Sequence, residues 1–228
     1  AYQAGDLDFI EQVPVDQVKS LLGTPEFYVA GQLGTYFTIF NVKSKIFDGM
    51  TVEQAAAFRK AIAVLIDRQY IVDTVTQTGQ QLANSFIPAG MLDGHGGVFK
   101  KSDADYNYPV EDGYFSLTPS VEKAVEYLKE AGLEVGADNK LVKPLSLTYL
   151  HNTSAAHAAI AELIQQDLAQ VGIEVNVQTQ EWNVFLNERK AGNFDFARHG
   201  WIADFNDPVN MLEMWTTDSG NNDAQFGR

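Results

Sequence analysis

The sequence predicts an α/β fold, and three observations carry that expectation. Residues 145–150 and 173–177 are short apolar runs, and residues 154–171 between them hold Ile160, Leu163, Ile164 and Leu168 at helical spacing. That is a β-α-β unit, so its two strands should be parallel and its crossover right-handed. Residues 52–75 form the longest helical pattern, with Phe58, Ile62, Leu65, Ile66 and Val72 on one face. Aromatic and β-branched segments at 27–30 and 35–41, divided by Gly31 and Gly34, add two more strands.

The other elements follow in chain order. Residues 15–22 carry Val15, Val18, Leu21 and Leu22 at helical spacing, and Gly23 with Thr24-Pro25 supplies a stop. Thr51 followed by Gln54 resembles a capping box for the 52–75 pattern, which reads as one long helix or as two meeting near Arg68. From 79 to about 119 the apolar periodicity disappears, and a segment that long is either functional or wrapped over the body as an extended arm. Thr118 as cap, Pro119 at the first helical position, a stripe of Val121, Ala124, Val125 and Leu128, and Gly132 as stop define the next helix. A last helix over 182–190 ends near Gly192, and a strand over 194–197 delivers the chain into residues 197–212, ARHGWIADFNDPVNML. There is no internal repeat and no low-complexity segment.

Composition narrows the function classes. With 228 residues, 45% hydrophobic and 20% charged, the chain can bury a sizeable core. Its net charge of −14 and scattered Lys and Arg leave no basic stripe for a phosphate backbone, which argues against nucleic acid. The acidic surface repels anionic headgroups, and no run approaches the roughly 18 apolar residues of a membrane span. The absence of cysteine excludes disulfides and thiolate metal sites but leaves the compartment undecided. The chain starts at Ala1 without a secretion signal, as a processed product or an excised piece would.

Catalytic motifs are scarce. No nucleophile elbow or phosphate loop is present, and Gly94-His95-Gly96-Gly97 is a glycine-rich turn without a following helix pattern, so the chain reads as a non-enzyme without cofactor. His95, His151, His157 and His199 form no H-x-x-x-H pair, and surface or supporting positions are expected for them rather than a metal site. Asp103, Asp105 and Asn107 alternate like calcium ligands. Tyr108 and Pro109 replace the turn glycine, however, and Tyr114 stands where the closing Glu would be, which favours a solvated acidic loop. The 197–212 stretch is the better candidate, with polar anchors Asp204, Asn206 and Asp207 beside Trp201. An indole face can stack an apolar or planar group while an adjacent carboxylate pairs a cation. Asp207-Pro208 before Val209, Met211 and Leu212 reads instead as a helix cap.

A resemblance adds to this reading. The segment ERKAGNFDFARHGWIADFNDP closely resembles the oligopeptide-binding proteins of bacterial ABC importers, extracytoplasmic solute-binding proteins of family 5. AGDLDF, TYFTIFN, RKAIAVLIDR, ANSFIPAG, EKAVEYLKEAGL, LHNTSAAH and QEWNVFL resemble the family in the same order, over almost the whole chain. The resemblance implies a periplasmic-binding-protein-like α/β lobe, with a mixed β-sheet flanked by helices and an extended arm. In that family two lobes close over an extended peptide held like an added strand. Asp204 then matches the anchor of the peptide's α-ammonium, which a buried carboxylate supplies well, and Gly200 and Ile202 match main-chain partners of the peptide. Trp201 lines a side-chain pocket, and Arg198, Arg189 and His157 match positions at or near the pockets and the peptide carboxylate.

Two departures stand out. Some members carry a disulfide from the strand near Gly34 to the position of Ile202, and with none here the loop should be held by packing alone. Full members are more than twice as long, so residues 1–228 should be a single C-terminal lobe. The first lobe, the signal sequence and a lipid-bearing Cys would lie outside it. The resemblance implies a monomer that takes a short peptide outside the cytoplasm, works with ABC permease subunits and touches the membrane only through a lipid anchor. The isolated piece should bind peptide weakly or undetectably. Same-fold receptors for dipeptides, nickel complexes or sugars are the near alternative. An enzyme or signalling domain on this scaffold is the distant one.

Overall fold

The computed structural model describes residues 1–101 and 118–228. Its main elements are α1 (Val15–Leu21), β1 (Gly34–Phe40), α2 (Val52–Leu65), α3 (Arg68–Ile71), α4 (Val121–Glu130) and β2 (Leu145–Asn152). They continue with α5 (Ala155–Ala169), β3 (Ile173–Gln180), α6 (Trp182–Ala191), β4 (Phe196–Ile202) and α7 (Val209–Leu212). The four strands form one mixed sheet in the order β1-β4-β2-β3. β2 and β3 are parallel, in register from Leu145↔Ile173 to Asn152↔Gln180, as the β-α-β pattern requires. β1 runs antiparallel to β4 along its whole length, Gly34↔Ile202 to Phe40↔Phe196. β2 meets β4 only at Tyr149↔Phe196 and Leu150↔Ala197.

Both faces of the sheet are covered, because strand side chains alternate between them. On one face Leu147, Tyr149, Val175 and Phe196 pack with Phe58, Ile62 and Leu65 of α2, Leu128 of α4, and Ile164 and Leu168 of α5. Each fully buried side chain of this size contributes about 1.5–3 kcal/mol. On the other face Ile39, Leu150 and Ala197 pack with Phe185 of α6, Phe194 and Ala224. Local signals fix the helix ends. Thr51 and Gln54 form a reciprocal capping box, Ser154 caps α5, and Gly192 closes α6 with φ 77°.

Several expectations are corrected. Residues 27–30 form no strand; Tyr28 is 86% exposed, and high β-propensity has no neighbouring strand to satisfy it. Of the two readings of the 52–75 pattern, one long helix or two meeting near Arg68, the second holds: the helix breaks at Ile66 and Asp67, where the Asp67 carboxylate accepts from Tyr70 N at 2.9 Å and opens α3. Ser120, not Thr118, caps α4 by accepting from Lys123 N at 3.2 Å, and Pro119 lies before the cap. Of the two placements expected for the histidines, His151 and His199 do not take the surface one: both are buried, and His199 stands in a supporting position beside Asp223. The 194–197 strand is longer than its apolar pattern and extends through Trp201 and Ile202, so the 197–212 stretch begins as a strand and not as a loop.

The described part of the 79–119 arm is wrapped over the body. Arg68 Nη1 donates to Ala83 O at 2.8 Å, and Ile87 and Met91 are buried against Met211 of α7. Its turn is held by Asp93, whose carboxylate is drawn down to about 2 by hydrogen bonds from His95 N and Gly97 N and then by Lys101. The acidic calcium-like segment at 103–112 lies outside the described residues.

Candidate functional site

Among the described residues, the second half of β4 has a partner strand on one edge only. Ala203 N donates to Leu33 O at 2.8 Å and Asn41 N to Asp195 O at 3.0 Å, so odd-numbered peptide groups face β1. By the alternation of an antiparallel ladder, the main-chain groups of Gly200 and Ile202 face the opposite edge. β2 pairs there no further than Ala197. Among the described residues that edge has no second strand beyond Ala197; of its main-chain groups, Gly200 N donates to His199 Nδ1 at 2.8 Å and Arg198 O accepts from Arg189 Nη1 at 3.4 Å. Gly200 is required by its neighbour: a Cβ there would collide with the ring of Tyr36, its register partner on β1.

The chain then turns through residues 203–208 into α7, which folds back over the strand. Asn210 of α7 ties this corner together. Its Oδ1 accepts from Trp201 Nε1 at 3.0 Å and from Asp204 N at 2.8 Å, and its Nδ2 donates to Asp204 Oδ2 at 3.3 Å. Trp201 is half-buried, packed with Ile87, Met91 and Met211, whereas Asp204 is exposed rather than buried. Asn206 Oδ1 accepts from Leu92 N at 2.8 Å and so fastens the arm to the turn. Asp207 Oδ1 accepts from Val209 N at 2.9 Å, which is the cap its sequence suggested.

Gly34 and Ile202 are register partners, at the place where the resemblance implies a disulfide in some relatives. The turn is held there by the β1 ladder and by Asn206 and Asn210, so packing alone is not what holds it.

A second group lies beside β4 at Arg198. Its guanidinium stands 4.8 Å over the Tyr36 ring and 5.8 Å from that of Trp182, and its Nε is buried with no hydrogen-bond partner among the described residues. His157, in the first turn of α5, meets Tyr36 edge-on at 6.4 Å. Burial, then the charges of Arg198 and His151, push His157 down to about 4, so it is neutral near pH 7. A half-buried cation whose Nε has no hydrogen-bond partner among the described residues, set next to aromatic walls, suits a carboxylate or another acceptor.

Arg189 is placed differently. It is buried, its Nε donates to Asp223 Oδ2 at 2.6 Å, and Nη1 reaches Arg198 O at 3.4 Å. His199 Nε2 lies 3.5 Å from the same carboxylate oxygen. Burial lowers the pKa of His199 more than Asp223 raises it. Burial raises that of Asp223, but hydrogen bonds from His199 and Arg189 and the Arg189 charge outweigh it and lower it overall. His199 is therefore neutral, accepting from Gly200 N and donating to an ionised Asp223. Arg189 thus reaches the edge strand through the Arg198 carbonyl. Asn210 and Asp223 escape a reading from the sequence, because α7 and the 219–224 turn bring them to β4 only through the fold; the one local signal was an Asn in the first turn after Asp-Pro.

Comparison with known proteins identifies the class. Over residues 1–223 the chain matches the bacterial extracellular solute-binding proteins, family 5 Middle, and it belongs to that family. It is 33% identical to the oligopeptide-binding protein OppA of Bacillus subtilis, over 98% of this chain and 38% of that protein. It is 32% identical to the dipeptide-binding protein DppE of the same organism, over 97% of this chain and 37% of the relative. Among solved structures, the murein tripeptide binding protein MppA of Escherichia coli superposes with a TM-score of 0.75 at 30% identity, covering 99% of this chain and 40% of that one. Haemophilus influenzae OppA in complex with RPPGFSPFR gives 0.72 at 31% identity, covering 99% and 41%. The chain thus spans about two fifths of the length of the relatives it matches.

Proposed function

We propose that this chain is the ligand-binding lobe of the substrate-binding protein of an ABC importer, and that it captures short peptides rather than catalysing a reaction. The observation that carries this reading is the open edge of β4 between Arg198 and Ile202, a pre-ordered strand with main-chain groups facing away from β1. A peptide added there gains main-chain hydrogen bonds, which give affinity with little sequence preference. Asp204, one turn beyond that edge, takes the peptide's α-ammonium. Trp201 supplies an apolar wall, and Arg198 with His157 meets acceptors further along the peptide. The relatives support the choice of ligand: OppA, DppE and MppA are named for oligopeptides, dipeptides and murein peptides.

Residues 1–228 act as one lobe, with the opposite wall of the cleft supplied by the rest of a two-lobed, monomeric protein. That wall desolvates Asp204, which is exposed on this lobe. In the full-length protein a lipid anchor and the importer's permease subunits are the remaining partners.

Isothermal calorimetry tests the reading. The full-length protein should bind a tripeptide with a free amine, and Asp204→Ala should cost about 2–5 kcal/mol of that affinity, as expected for a buried charge pair broken on one side. Mass spectrometry of the co-purifying ligand should give mixed peptides. A single non-peptide metabolite in their place overturns the proposal.

A further inference from the structure

We infer that Asn210 is a positioning residue for the amine anchor, a role that rests on the reading of Asp204 given above. Three hydrogen bonds meet at one side chain. Two donors, Trp201 Nε1 and Asp204 N, converge on Oδ1, which fixes which end of the amide is oxygen and fills both of its lone pairs. The nitrogen end is thereby turned to Asp204 Oδ2, to which it donates at 3.3 Å. Asn210 therefore couples the indole wall to the carboxylate and sets the carboxylate's rotation.

The side chain can do this because its own backbone is anchored. Asp207 caps the start of α7, Pro208 is buried, and Met211, the next residue, is buried against Ile87 and Met91 of the arm. Asp204, in contrast, sits in an exposed turn, where a carboxylate left to itself samples several rotamers. A ligand amine would then have to order it, at a cost in affinity. With Oδ2 held by Asn210, Oδ1 has no donor bonded to it among the described residues and is pre-set for an incoming ammonium.

The test uses the full-length protein and trialanine with either a free or an acetylated amino terminus. Asn210→Ala should weaken the free-amine peptide about tenfold more than the acetylated one, the difference expected when a hydrogen bond to a charged group goes. In an Asp204→Ala background, Asn210→Ala should have no further effect, because it acts through that carboxylate. In the unmodified protein, the Asn210 side-chain amide and Trp201 indole N–H resonances should move on adding the free-amine peptide, and the Asn210 resonance should stay put with the acetylated one. An equal loss for both peptides, an additive loss in the double variant, or an Asn210 amide that ignores the free amine overturns the inference. If Asp204→Ala itself leaves the preference for a free amine intact, the amine-anchor reading fails instead.

Discussion

The two halves of β4 make opposite use of one strand. At Phe196 and Ala197 it is paired on both edges, to β1 and β2, and both side chains are fully buried. At Gly200 to Ile202 it is paired to β1 alone, and Ile202 is 48% exposed. An exposed strand edge is ordinarily a hazard, since it invites unintended pairing. Here the buried half fixes the direction and register of the exposed half. A peptide adding to the edge meets a strand already ordered by the core, and little of its binding energy goes into ordering the protein.

Breaking the buried half should have the largest effect. Phe196 stacks on Phe40 at 5.9 Å and meets Tyr149 at a tilt at 4.7 Å with no exposed surface, so Phe196→Ala should cost about 3–5 kcal/mol of stability in guanidinium unfolding. If the halves are coupled as described, amide exchange at residues 200–202 should accelerate as well. Protection there that is unchanged would separate the two halves.

Gly200→Ala sharpens the comparison from the exposed side. The new Cβ meets the Tyr36 ring, which at 62% exposure can swing outward but in doing so leaves Arg198. A cost at the lower end of the 1–3 kcal/mol typical of overpacking, about 1 kcal/mol, is expected in the same unfolding assay. Tyr36→Ala should relieve it, giving a non-additive double variant. Full additivity would mean that the ring is not the obstacle.

How far the fold could be read from the sequence follows the same division. β2, α5 and β3 were legible because buried strands and a helix announce themselves by period, and α2 by its capping box. β4 was legible only in its buried half. Arg198, His199 and Gly200 break the apolar pattern, where the strand has left its second partner β2 behind. The 27–30 segment misled because strand propensity says nothing about whether a partner strand exists. At the site, Trp201 and Asp204 stood out as an indole beside a carboxylate, and family likeness gave them roles. Arg189 carried the same likeness, yet the fold buries it against Asp223. Asn210 stayed unread, since its three hydrogen bonds exist only after α7 folds back over β4.

The smallest effect depends on pH and lies at the border between the halves. His157 is half-buried, with Arg198 nearby, and is held near 4, below the 6.5 usual for histidine. Between these values the unfolded chain takes up a proton that the folded one refuses. The His157 contribution should therefore lower stability as pH drops from about 6.5 and level off below about 4. The solvent-open part of the ring screens this contribution, so the slope is shallow. His199, buried and lowered in the same direction, adds to it. His157→Gln removes one titrating group while keeping a polar side chain, and thermal unfolding between pH 7 and pH 4 should then show a flatter decline (about those pH limits, set by the linkage window). An unchanged slope would mean that His157 carries none of the dependence, which then rests with buried groups such as His199.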